Sequence, residues 1–468
     1  MKLSDIIKDS GAVILHGTPD TEIRSITSDS RKAAAGSLFI AVKGVDRDGH
    51  DYIDAALAAG ASAVVSATRL GLALCADAFY GHPSQKLTLV GITGTNGKTT
   101  TVTLLYQLLR KLGYECGLLS TIANYVGERR TETTNTTSDP ITINALLAEM
   151  VNAGCAYCFM EVSSIGMEQE RVAGLRFKAG IFSNLTHDHL DYHKTFAEYL
   201  RCKKLFFDGL PADAYAIINI DDKNGPVMVQ NCAAQTVTYS CKRIADHTCR
   251  ILEESFEGML LKLDGTETWT KLIGQHNAYN ILAIYSTALA LGADRMETLV
   301  ALSTLESACG RLENHRGPRG VSVVIDYAHT PDAMENVLKT LRDIAPEKQL
   351  ICLFGCGGDR DKTKRPEMAA VAEKLADRVI VTSDNSRTER TEDILQDIRA
   401  GFSPKGLAKA LFLSDRREAI RTAVVTAQDG ATILLAGKGH ETYQIIGKTY
   451  NHFDEREILD ELFQELTN

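Results

Sequence analysis

The chain has 468 residues, of which 44% are hydrophobic and 24% charged, and its formal net charge at pH 7 is −9. This length predicts about two to four domains, and the negative charge argues against a nucleic-acid partner, because binding to phosphates needs a basic face. No uncharged apolar run approaches the ~18 residues that a membrane-spanning helix needs, and residues 1–9 carry charges where a signal peptide is apolar, so we expect a cytoplasmic protein without a membrane partner.

The first 86 residues contain short segments typical of strands and of a helix. Residues 37–42 and 63–65 read as strands, and residues 52–59 read as a helix. A small α/β domain is expected here.

A glycine-rich turn follows this segment and joins a predicted strand to a predicted helix. The apolar run 87–92 reads as a buried strand and 99–109 as a helix, with Gly94-Thr-Asn-Gly-Lys-Thr99 between them. Such a turn presents backbone N–H groups to an anion at a helix N-terminus. Lys98 would reach the outer phosphates of a nucleotide, and the Thr99 hydroxyl could ligate magnesium. The strict phosphate-loop spacing needs glycine at 92, where this chain has isoleucine.

Strands and helices then alternate to residue 312. Residues 115–121, 157–162, 179–184 and 215–219 read as strands, and residues 277–291 as a helix. This alternation predicts a mainly parallel sheet covered by helices. Five further strands, at 321–326, 350–354, 378–382, 410–413 and 432–436, predict a third, Rossmann-like domain. We therefore expect an α/β protein with domains at 1–86, 87–312 and 313–468.

The eleven cysteines are scattered, and only Cys155/Cys158 and Cys352/Cys356 form close pairs. No further pair completes a zinc-binding set. Free, reduced and mostly buried thiols are expected.

Polar clusters follow the predicted strands, at the edge where ligands bind in open α/β sheets. Glu161 could hold the magnesium shared with the phosphate loop, or it could point to water at a strand end. Residues 184–193 include three histidines and two aspartates, a pattern that does not distinguish zinc, magnesium or a solvated loop. Each of the other clusters could be an ordinary turn, but as a set around one phosphate loop they indicate a ligand site; they lie at 326–331, 355–361, 383–387 and 437–441.

These motifs resemble those of the Mur ligases, ATP-dependent amide-forming enzymes of peptidoglycan synthesis, and the resemblance covers all three expected domains. Gly94-Thr-Asn-Gly-Lys-Thr99 is similar to that family's phosphate loop. The resemblance implies that ATP is bound by Gly94, Thr95, Asn96, Gly97, Lys98, Thr99, Thr100, Asn277, Asn280, Arg311 and Asp326.

Within the family, the chain most resembles the MurE-type ligases, which add the third residue to UDP-N-acetylmuramoyl-L-Ala-D-Glu. By this resemblance Ser30 should lie in the uridine site. The muramoyl-dipeptide should be held by Asn135, Thr136, Thr137, Ser163, Gln169 and Arg171. Ile165 departs from the family, which usually has histidine there.

The resemblance also implies two magnesium sites and a carbamylated lysine. Lys203 stands four residues after Tyr199, as the family's carbamylated lysine does after its tyrosine. An ammonium would repel magnesium, whereas a carbamate supplies an anionic oxygen. From the residues alone, Lys203 and Lys204 are equivalent. The implied metal ligands are Thr99, Glu161, His189 and carbamylated Lys203, and the implied catalytic residues are Lys98, Glu161, His189 and Lys203.

The incoming amino acid is indicated by Asp384-Asn-Ser-Arg387. Relatives that use meso-diaminopimelate carry Asp-Asn-Pro-Arg, in which the arginine pairs with a distal carboxylate that lysine lacks. Ser386 replaces the proline and leaves the loop more freedom. Arg360, Gly437 and Glu441 would complete the site, so diaminopimelate is favoured over lysine.

The expected function is therefore an ATP-dependent ligase that forms an acyl phosphate on the D-Glu carboxylate and couples it to diaminopimelate, with the C-terminal domain closing over the reactants. The expected state is a monomer with small-molecule substrates. The alternatives are a lysine-adding or D-Ala-D-Ala-adding ligase, a folylpolyglutamate synthetase, a P-loop switch or transport ATPase, and an inactive nucleotide-binding scaffold.

Overall fold

The computed structural model describes residues 1–44, 47–133, 135–186 and 190–467. No helix in these ranges is both long enough and apolar enough to cross a membrane. The chain divides into two compact units. The first unit comprises Met1–Leu185, Ala197–His247 and Ala283–Ala301, and the second comprises Thr186–Phe196, Thr248–Leu282 and Leu302–Asn468.

The N-terminal part of the first unit is a four-stranded sheet with helices on both faces. Its elements are α1 (Leu3–Ile7), β1 (Val13–His16), β2 (Ser25–Thr27), β3 (Ser37–Val42), α2 (Ile53–Ala58), β4 (Ala63–Ala67) and α3 (Arg69–Phe79). The strand order is β1-β4-β3-β2, with β1 antiparallel to β4 and the other pairs parallel. Successive side chains of β3 point to opposite faces, so Leu38 and Ile40 pack with α1 and α3 whereas Phe39 and Ala41 pack with α2. The predicted strands and helix of this segment are confirmed.

The rest of the first unit is built on a longer, mainly parallel sheet in the order β12-β11-β10-β5-β9-β6-β7-β8. The pairs from β12 to β6 are parallel, and β7 and β8 add an antiparallel edge. The elements of this segment are β5 (Thr88–Thr93), α4 (Lys98–Lys111), β6 (Cys116–Leu119), β7 (Asn124–Val126), β8 (Arg129–Thr131), α5 (Pro140–Asn152), β9 (Tyr157–Glu161), α6 (Ser164–Glu168), β10 (Ala179–Phe182), α7 (Leu190–His193), α8 (Phe196–Asp208), β11 (Tyr215–Asn219), α9 (Gly225–Met228) and β12 (Gln235–Ser240).

The second unit begins its own strands with an antiparallel meander that the sequence did not predict. The elements from here to the second sheet are β13 (His247–Ser255), β14 (Gly258–Leu263), β15 (Thr266–Thr270), α10 (Gln275–Ala290) and α11 (Arg295–Leu302). The strands pair in the order β13-β14-β15.

A six-stranded sheet forms the core of the second unit, in the order β16-β17-β21-β18-β19-β20. Its elements are β16 (Glu313–Arg316), β17 (Ser322–Asp326), α12 (Pro331–Ile344), β18 (Leu350–Phe354), α13 (Lys364–Leu375), β19 (Arg378–Thr382), α14 (Thr391–Arg399), α15 (Pro404–Leu407), β20 (Ala410–Leu413), α16 (Arg416–Val425), β21 (Thr432–Ala436), β22 (Tyr443–Ile446), β23 (Thr449–His452) and α17 (Glu455–Thr467). Only the edge strand β16 of this sheet runs antiparallel to its neighbour.

Helices cover both faces of this second sheet. Apolar side chains of α12, α13 and α14 pack on one face, and those of α16 and α17 pack on the other. Because β18 is buried on both faces, its sequence Leu350-Ile-Cys-Leu-Phe354 is continuously apolar. The five predicted strands and the predicted α/β class are confirmed. Short 3-10 helices lie at Ser30–Lys32, Gly49–Tyr52, Pro83–Gln85 and Pro318–Gly320.

Candidate active site

The phosphate loop, residues Gly94–Gly97, joins the end of β5 to the first residue of α4, Lys98. Gly94 and Gly97 have φ of 152° and 88°, a backbone conformation that favours glycine. A Cβ on Gly94 would also lie 1.9 Å from the Ser183 Oγ. The turn therefore needs glycine at both positions, and it ends at the N-terminus of a helix of 14 residues, where backbone N–H groups attract anions.

Polar groups beyond β10 hold this loop in place. The Thr95 N–H donates to the Asn184 backbone oxygen at 2.8 Å, and the Asn96 N–H donates to the Asn184 Oδ1 at 3.0 Å. The Ser183 Oγ donates to the Asn96 carbonyl at 2.7 Å. The Lys98 ammonium donates hydrogen bonds to the carbonyls of Gly94 and Thr95, at 2.9 and 2.8 Å. Thr99 and Thr100 are buried at the start of α4.

Gly91, which lies near the position that the strict motif would need, has a separate task inside β5. It pairs with Gly180 of β10. A Cβ on Gly91 would lie 2.6 Å from the Phe206 Cζ, and one on Gly180 would lie 2.9 Å from the Phe206 Cε1. Phe206 therefore fills a hollow that the two glycines leave, and it seats α8 against the sheet. Lys203 lies about one helical turn before Phe206, so this packing sets the position of its ammonium.

Lys203 faces the phosphate loop. Its side chain is 1% exposed, and its Nζ donates to the Gly94 carbonyl at 2.7 Å and lies 4.6 Å from the centre of the Tyr199 ring. The Tyr199 hydroxyl in turn lies 3.1 Å from the Thr95 Oγ1. Lys204, by contrast, forms an ion pair with Asp208 on its own helix. The structure thus separates the two lysines that the residues alone left equivalent.

Glu161 is the last residue of β9, and it is 1% exposed. Its Oε1 accepts a hydrogen bond from the Thr121 N–H at 2.8 Å, and its backbone carbonyl accepts one from the Thr137 Oγ1 at 2.9 Å. A carboxylate buried at a strand end therefore has a fixed orientation. His189 lies outside the described residues. Within the described ranges, no three His, Cys, Asp or Glu side chains gather as a ready metal site.

The residues expected to hold the muramoyl-dipeptide form a network around Thr137. The Arg171 guanidinium donates to the Thr137 carbonyl at 2.6 Å and to the Gln169 Oε1 at 2.7 Å. The Ser163 N–H donates to the Thr137 Oγ1 at 3.0 Å, and the Ser163 hydroxyl caps α6. Thr136 accepts from the Thr121 hydroxyl, and the Asn135 carbonyl accepts from the Thr133 hydroxyl.

Ser30 begins a 3-10 helix just after β2. Asp29 caps this turn by accepting from the Arg31 N–H at 3.1 Å. The hydrogen bond from the Arg31 side chain lowers the pKa of Asp29 to about 2. The turn around Ser30 is therefore held by local polar contacts.

In the second unit, Asp326 ends β17 and orders the turn that follows. Its two carboxylate oxygens accept from the N–H groups of Leu312 and Ala328, both at 2.8 Å. Burial raises the pKa of Asp326, and the nearby Arg311 opposes this rise. The Arg311 guanidinium lies 4.8 Å from the centre of the Tyr327 ring.

Asn277 and Asn280 lie on α10 and are buried. The Asn277 amide donates to the Ile273 carbonyl at 2.8 Å, and the Asn280 amide donates to the Asn277 Oδ1 at 3.0 Å. These bonds order the first turn of the helix.

Three loops meet at the carboxyl ends of the adjacent strands β21, β18 and β19, where ligands bind in open α/β sheets. The Asn385 amide donates to the Glu441 Oε2 at 2.8 Å. The Arg387 guanidinium donates to the Gly358 carbonyl at 3.0 Å. A Cβ on Gly437 would lie 2.9 Å from the Asp384 Oδ2.

The structure therefore brings together most of the residues expected to bind the amino acid: Asp384, Asn385, Arg387, Gly437 and Glu441, with Ser386 buried beside them. Arg360 lies at the rim of this cluster, since a Cβ on Gly357 would lie 3.8 Å from the Arg360 Cγ and 3.0 Å from the Arg387 Nη1. It is exposed, and its guanidinium donates to the carbonyl of the preceding Asp359.

The sequence analysis did not predict two buried cations of this cluster, Lys438 and Arg416. Lys438 is 0% exposed, and its ammonium lies 3.2 Å from the Glu441 Oε2 and 3.4 Å from the Asn385 Oδ1. Burial opposes the ionisation of Asp384, but Lys438 and Arg416 outweigh it and lower the pKa of this carboxyl group. Burial raises the pKa of Glu441, against the opposing charge of Lys438.

Arg416 ties two of the strand ends together. It donates to the carbonyls of Ser383 and Ala436, at 3.2 and 2.9 Å, and pairs with Glu455 at 2.8 Å. The side chains of Arg416 and Glu455 are both 0% exposed. The only sequence signal for Lys438 was its place within the Gly437–Glu441 turn, and nothing local marked Arg416.

All eleven cysteines are free thiols, and eight of them are buried. This confirms the expectation of reduced, mostly buried cysteines.

Three family models match the chain: the Mur ligase family catalytic domain at residues 22–79, the Mur ligase middle domain at 92–288, and the Mur ligase glutamate ligase domain at 310–439. Together they match more than half of the chain.

Curated relatives and a solved structure indicate the same family as these three models. UDP-N-acetylmuramoyl-L-alanyl-D-glutamate–2,6-diaminopimelate ligases of Cytophaga hutchinsonii and Parabacteroides distasonis are each 48% identical to this chain. The first match covers 100% of both chains and the second 99% of both. A solved structure of a ligase with the same printed name is 31% identical, with a TM-score of 0.70, over 100% of this chain and 99% of the other. The chain belongs to the Mur ligase family.

Proposed function

We propose that this chain is the MurE-type, ATP-dependent ligase that adds meso-diaminopimelate to the D-Glu of UDP-N-acetylmuramoyl-L-Ala-D-Glu, in peptidoglycan precursor synthesis. One observation carries this specificity: Asn385 links the Arg387 guanidinium and the Glu441 carboxylate into one cluster at the sheet edge. An amino acid with both a carboxylate and an ammonium at its far end offers a partner to each group. Lysine offers only the ammonium. The names of the full-length relatives support the same substrate.

The phosphate loop is the proposed site of the ATP phosphates. Its backbone N–H groups and the α4 N-terminus would bind the negative charge, and Lys98 would move from the Gly94 and Thr95 carbonyls to the outer phosphates. Asn277, Arg311 and Asp326 are the proposed nucleoside-side residues. The Arg311 guanidinium lies over the Tyr327 ring.

The donors near the loop fit magnesium in part. The Thr99 hydroxyl and the Glu161 carboxylate are oxygen donors of the kind that magnesium prefers, and Glu161 is already oriented by Thr121. Lys203 fits only as a carbamate, because an ammonium would repel the metal. We propose that Thr99, Glu161, His189 and carbamylated Lys203 hold two ions. Bound magnesium would neutralise charge on the transferring phosphoryl group.

The network around Thr137 is the proposed seat of the muramoyl-dipeptide. Arg171 carries a positive charge, held by Gln169 and Thr137, that can pair with a carboxylate of the substrate. Ser163 and Asn135 would add neutral hydrogen bonds, and Ser30 would contact the uridine.

The reaction proceeds in two balanced steps. A D-Glu side-chain carboxylate oxygen attacks the γ-phosphorus of ATP, the bond to the β-phosphate oxygen breaks, and an acyl phosphate and ADP form. The amine of diaminopimelate then attacks the acyl carbon, and the tetrahedral intermediate loses phosphate and a proton to give the amide. Lys98 stabilises the charge that spreads over the phosphoryl oxygens.

We assign these tasks to domains at 1–86, 87–312 and 313–468, for UDP-muramoyl binding, ATP binding and amino-acid binding respectively. The ligase is proposed to act as a monomer in the cytoplasm, where ATP is available.

The test is a reaction of the purified chain with ATP, UDP-N-acetylmuramoyl-L-Ala-D-Glu and one amino acid, followed by mass spectrometry. We expect a diaminopimelate adduct and stoichiometric phosphate. Product with lysine but not with diaminopimelate would overturn the specificity, and ATP hydrolysis independent of the amino acid would overturn the ligase assignment. Full activity of Lys203→Ala would rule out the role of the carbamate.

A further inference from the structure

The hairpin of β22 and β23 lies against the loop Ser383–Arg387, called here the selectivity loop, and nothing in the reaction yet assigns this hairpin a task. Its two strands pair from Tyr443 with His452 to Ile446 with Thr449, which leaves a two-residue turn that begins at Gly447. Gly447 has a φ of 61°, as such tight turns require.

Arg387 adopts a backbone conformation that is uncommon for its residue type. Its φ is 51°, in the left-handed region that disfavours side chains with a Cβ. Such a conformation persists only where the surroundings hold it. The hairpin does so from both sides: the Arg387 N–H donates to the Ile445 carbonyl at 3.2 Å, and the Gly447 N–H donates to the Arg387 carbonyl at 2.7 Å.

The start of the selectivity loop is held by one side chain of the same hairpin. The Gln444 amide donates to the Ser383 Oγ at 2.9 Å and to the Asp384 carbonyl at 3.1 Å. The Ile445 N–H donates to the Asn385 Oδ1 at 2.9 Å. These bonds fix the peptide between Asp384 and Asn385 and hence the amide that reaches Glu441.

Ser386 gives this support its importance. A serine does not lock φ as a proline would, so the chain itself leaves the middle of the loop more conformational freedom. The hairpin supplies the constraint from outside, by hydrogen bonds to the residues on both sides of Ser386.

We propose that the β22–β23 hairpin is a positioning element for amino-acid selection and that Gln444 is its main positioning residue. The proposal rests on the proposed function, because it concerns the same amino-acid site. Gln444 acts through Ser383 and Asp384: it presents Asn385 and Arg387 in the orientation that accepts the far end of the substrate.

The test compares Gln444→Ala with Asn451→Ala. Asn451 lies on the same hairpin, but its amide donates to the Gln444 carbonyl rather than to the selectivity loop. For Gln444→Ala we expect the KM for diaminopimelate to rise about tenfold and the preference over lysine to fall by a similar factor, since two hydrogen bonds are lost. The KM for ATP should stay within about twofold of the wild type, and Asn451→Ala should match the wild type throughout.

An unchanged KM for the amino acid in Gln444→Ala would overturn the proposal, and so would an equal rise in the KM for ATP or the same defect in Asn451→Ala. Should Gln444→Ala fold poorly, Gln444→Glu keeps the size but loses the donor, and it should show the same KM pattern. A wild-type chain that adds lysine alone would refute the proposed substrate. The same variants, measured with lysine, would then still decide the positioning role.

Discussion

The phosphate loop and the amino-acid cluster are built on different principles, although both lie at the carboxyl ends of parallel strands. The phosphate loop is one short segment whose proposed ligand-binding groups are backbone N–H groups and a single lysine. The amino-acid cluster joins three loops that are far apart in sequence, and it depends on charges buried behind them. A site made from contiguous backbone can be read from a motif, whereas a site made from buried side chains depends on residues that no motif includes.

The largest expected effect lies behind the amino-acid cluster. Arg416→Met should destabilise the fold by about 3–5 kcal/mol, because it leaves the Glu455 carboxylate buried without its cation. Urea unfolding measures this loss. The control is Arg421→Met, on the same helix as Arg416. It breaks an exposed ion pair with Glu465 of α17 and should leave the stability nearly unchanged. The double variant Arg416→Met/Glu455→Leu should recover only the part of the loss that comes from the unpaired carboxylate, because the carbonyls of Ser383 and Ala436 still lose their donor. A single Arg416→Met variant as stable as Arg421→Met would show that the cluster does not depend on this ion pair.

A substitution in the phosphate loop should reduce catalysis and leave the stability of the fold unchanged. Lys98→Met should lower kcat by about 10²–10³-fold, since it removes a charge that stabilises the transferring phosphoryl group. Lys111→Met, an exposed lysine at the other end of α4, is the control and should match the wild type. Phosphate release in the steady state measures both. A loss of tenfold or less would mean that Lys98 does not contact the reacting phosphate.

The next largest effect should be a loss of selectivity for the amino acid. Arg387→Met should raise the KM for diaminopimelate by about 10–100-fold and change the KM for lysine little, because only diaminopimelate has a carboxylate for the guanidinium. The matched control is Arg390→Met, a nearby arginine whose side chain is 76% exposed. Equal effects on both amino acids would indicate that Arg387 supports the loop without contacting the substrate.

The smallest expected effect is a dependence on pH that belongs to the second unit. Burial, with the charge of Arg311, lowers the pKa of His440 to about 3, from an ordinary value of 6.5. The unfolded chain therefore binds the proton first, so the stability from neutral His440 is complete above pH 6.5 and is lost as the pH falls from there toward 3. At a pH of about 5.5 the loss should be about 1 kcal/mol relative to pH 7.5.

Urea unfolding of wild type and His440→Asn at the two pH values tests this contribution. The variant should lose less stability on acidification. His452, whose pKa is raised by its hydrogen bond to Glu457, should act in the opposite direction. Identical pH profiles for wild type and His440→Asn would contradict the assignment.

The same contrast explains how far the sequence could lead. Fully buried parallel strands such as β18 are continuous apolar runs, so they were predicted nearly to the residue. The strand predicted at 179–184 ends at Phe182, because Ser183 and Asn184 leave the sheet to hold the phosphate loop. The strands β13 to β15 were missed, since their mixture of polar and apolar residues lacks a strong period. The hairpin at Gln444 was missed for the same reason.

The burial of the charged residues could not be predicted from the local sequence, for a different reason. Whether Arg416 or Lys438 faces solvent or the core depends on which strands become neighbours, and a single helix or turn does not reveal this. Lys203 and Lys204 differ by one position, and only the docking of α8 decides which of them faces the loop.

The paired glycines under Phe206 carry a consequence for how this sequence can diverge. Gly91 and Gly180 face the same ring from adjacent strands, and Gly91 also faces the ring of Phe177. A side chain at 91 would need both rings to move, because its Cβ would lie 2.6 Å from the Phe206 Cζ and 2.8 Å from the Phe177 Cε1. A shift of Phe206 would also move the helix that carries Lys203. We therefore expect a substitution at position 91 to be accompanied by changes at both ring positions. A change at 206 should also alter where Lys203 lies beside the Gly94 carbonyl.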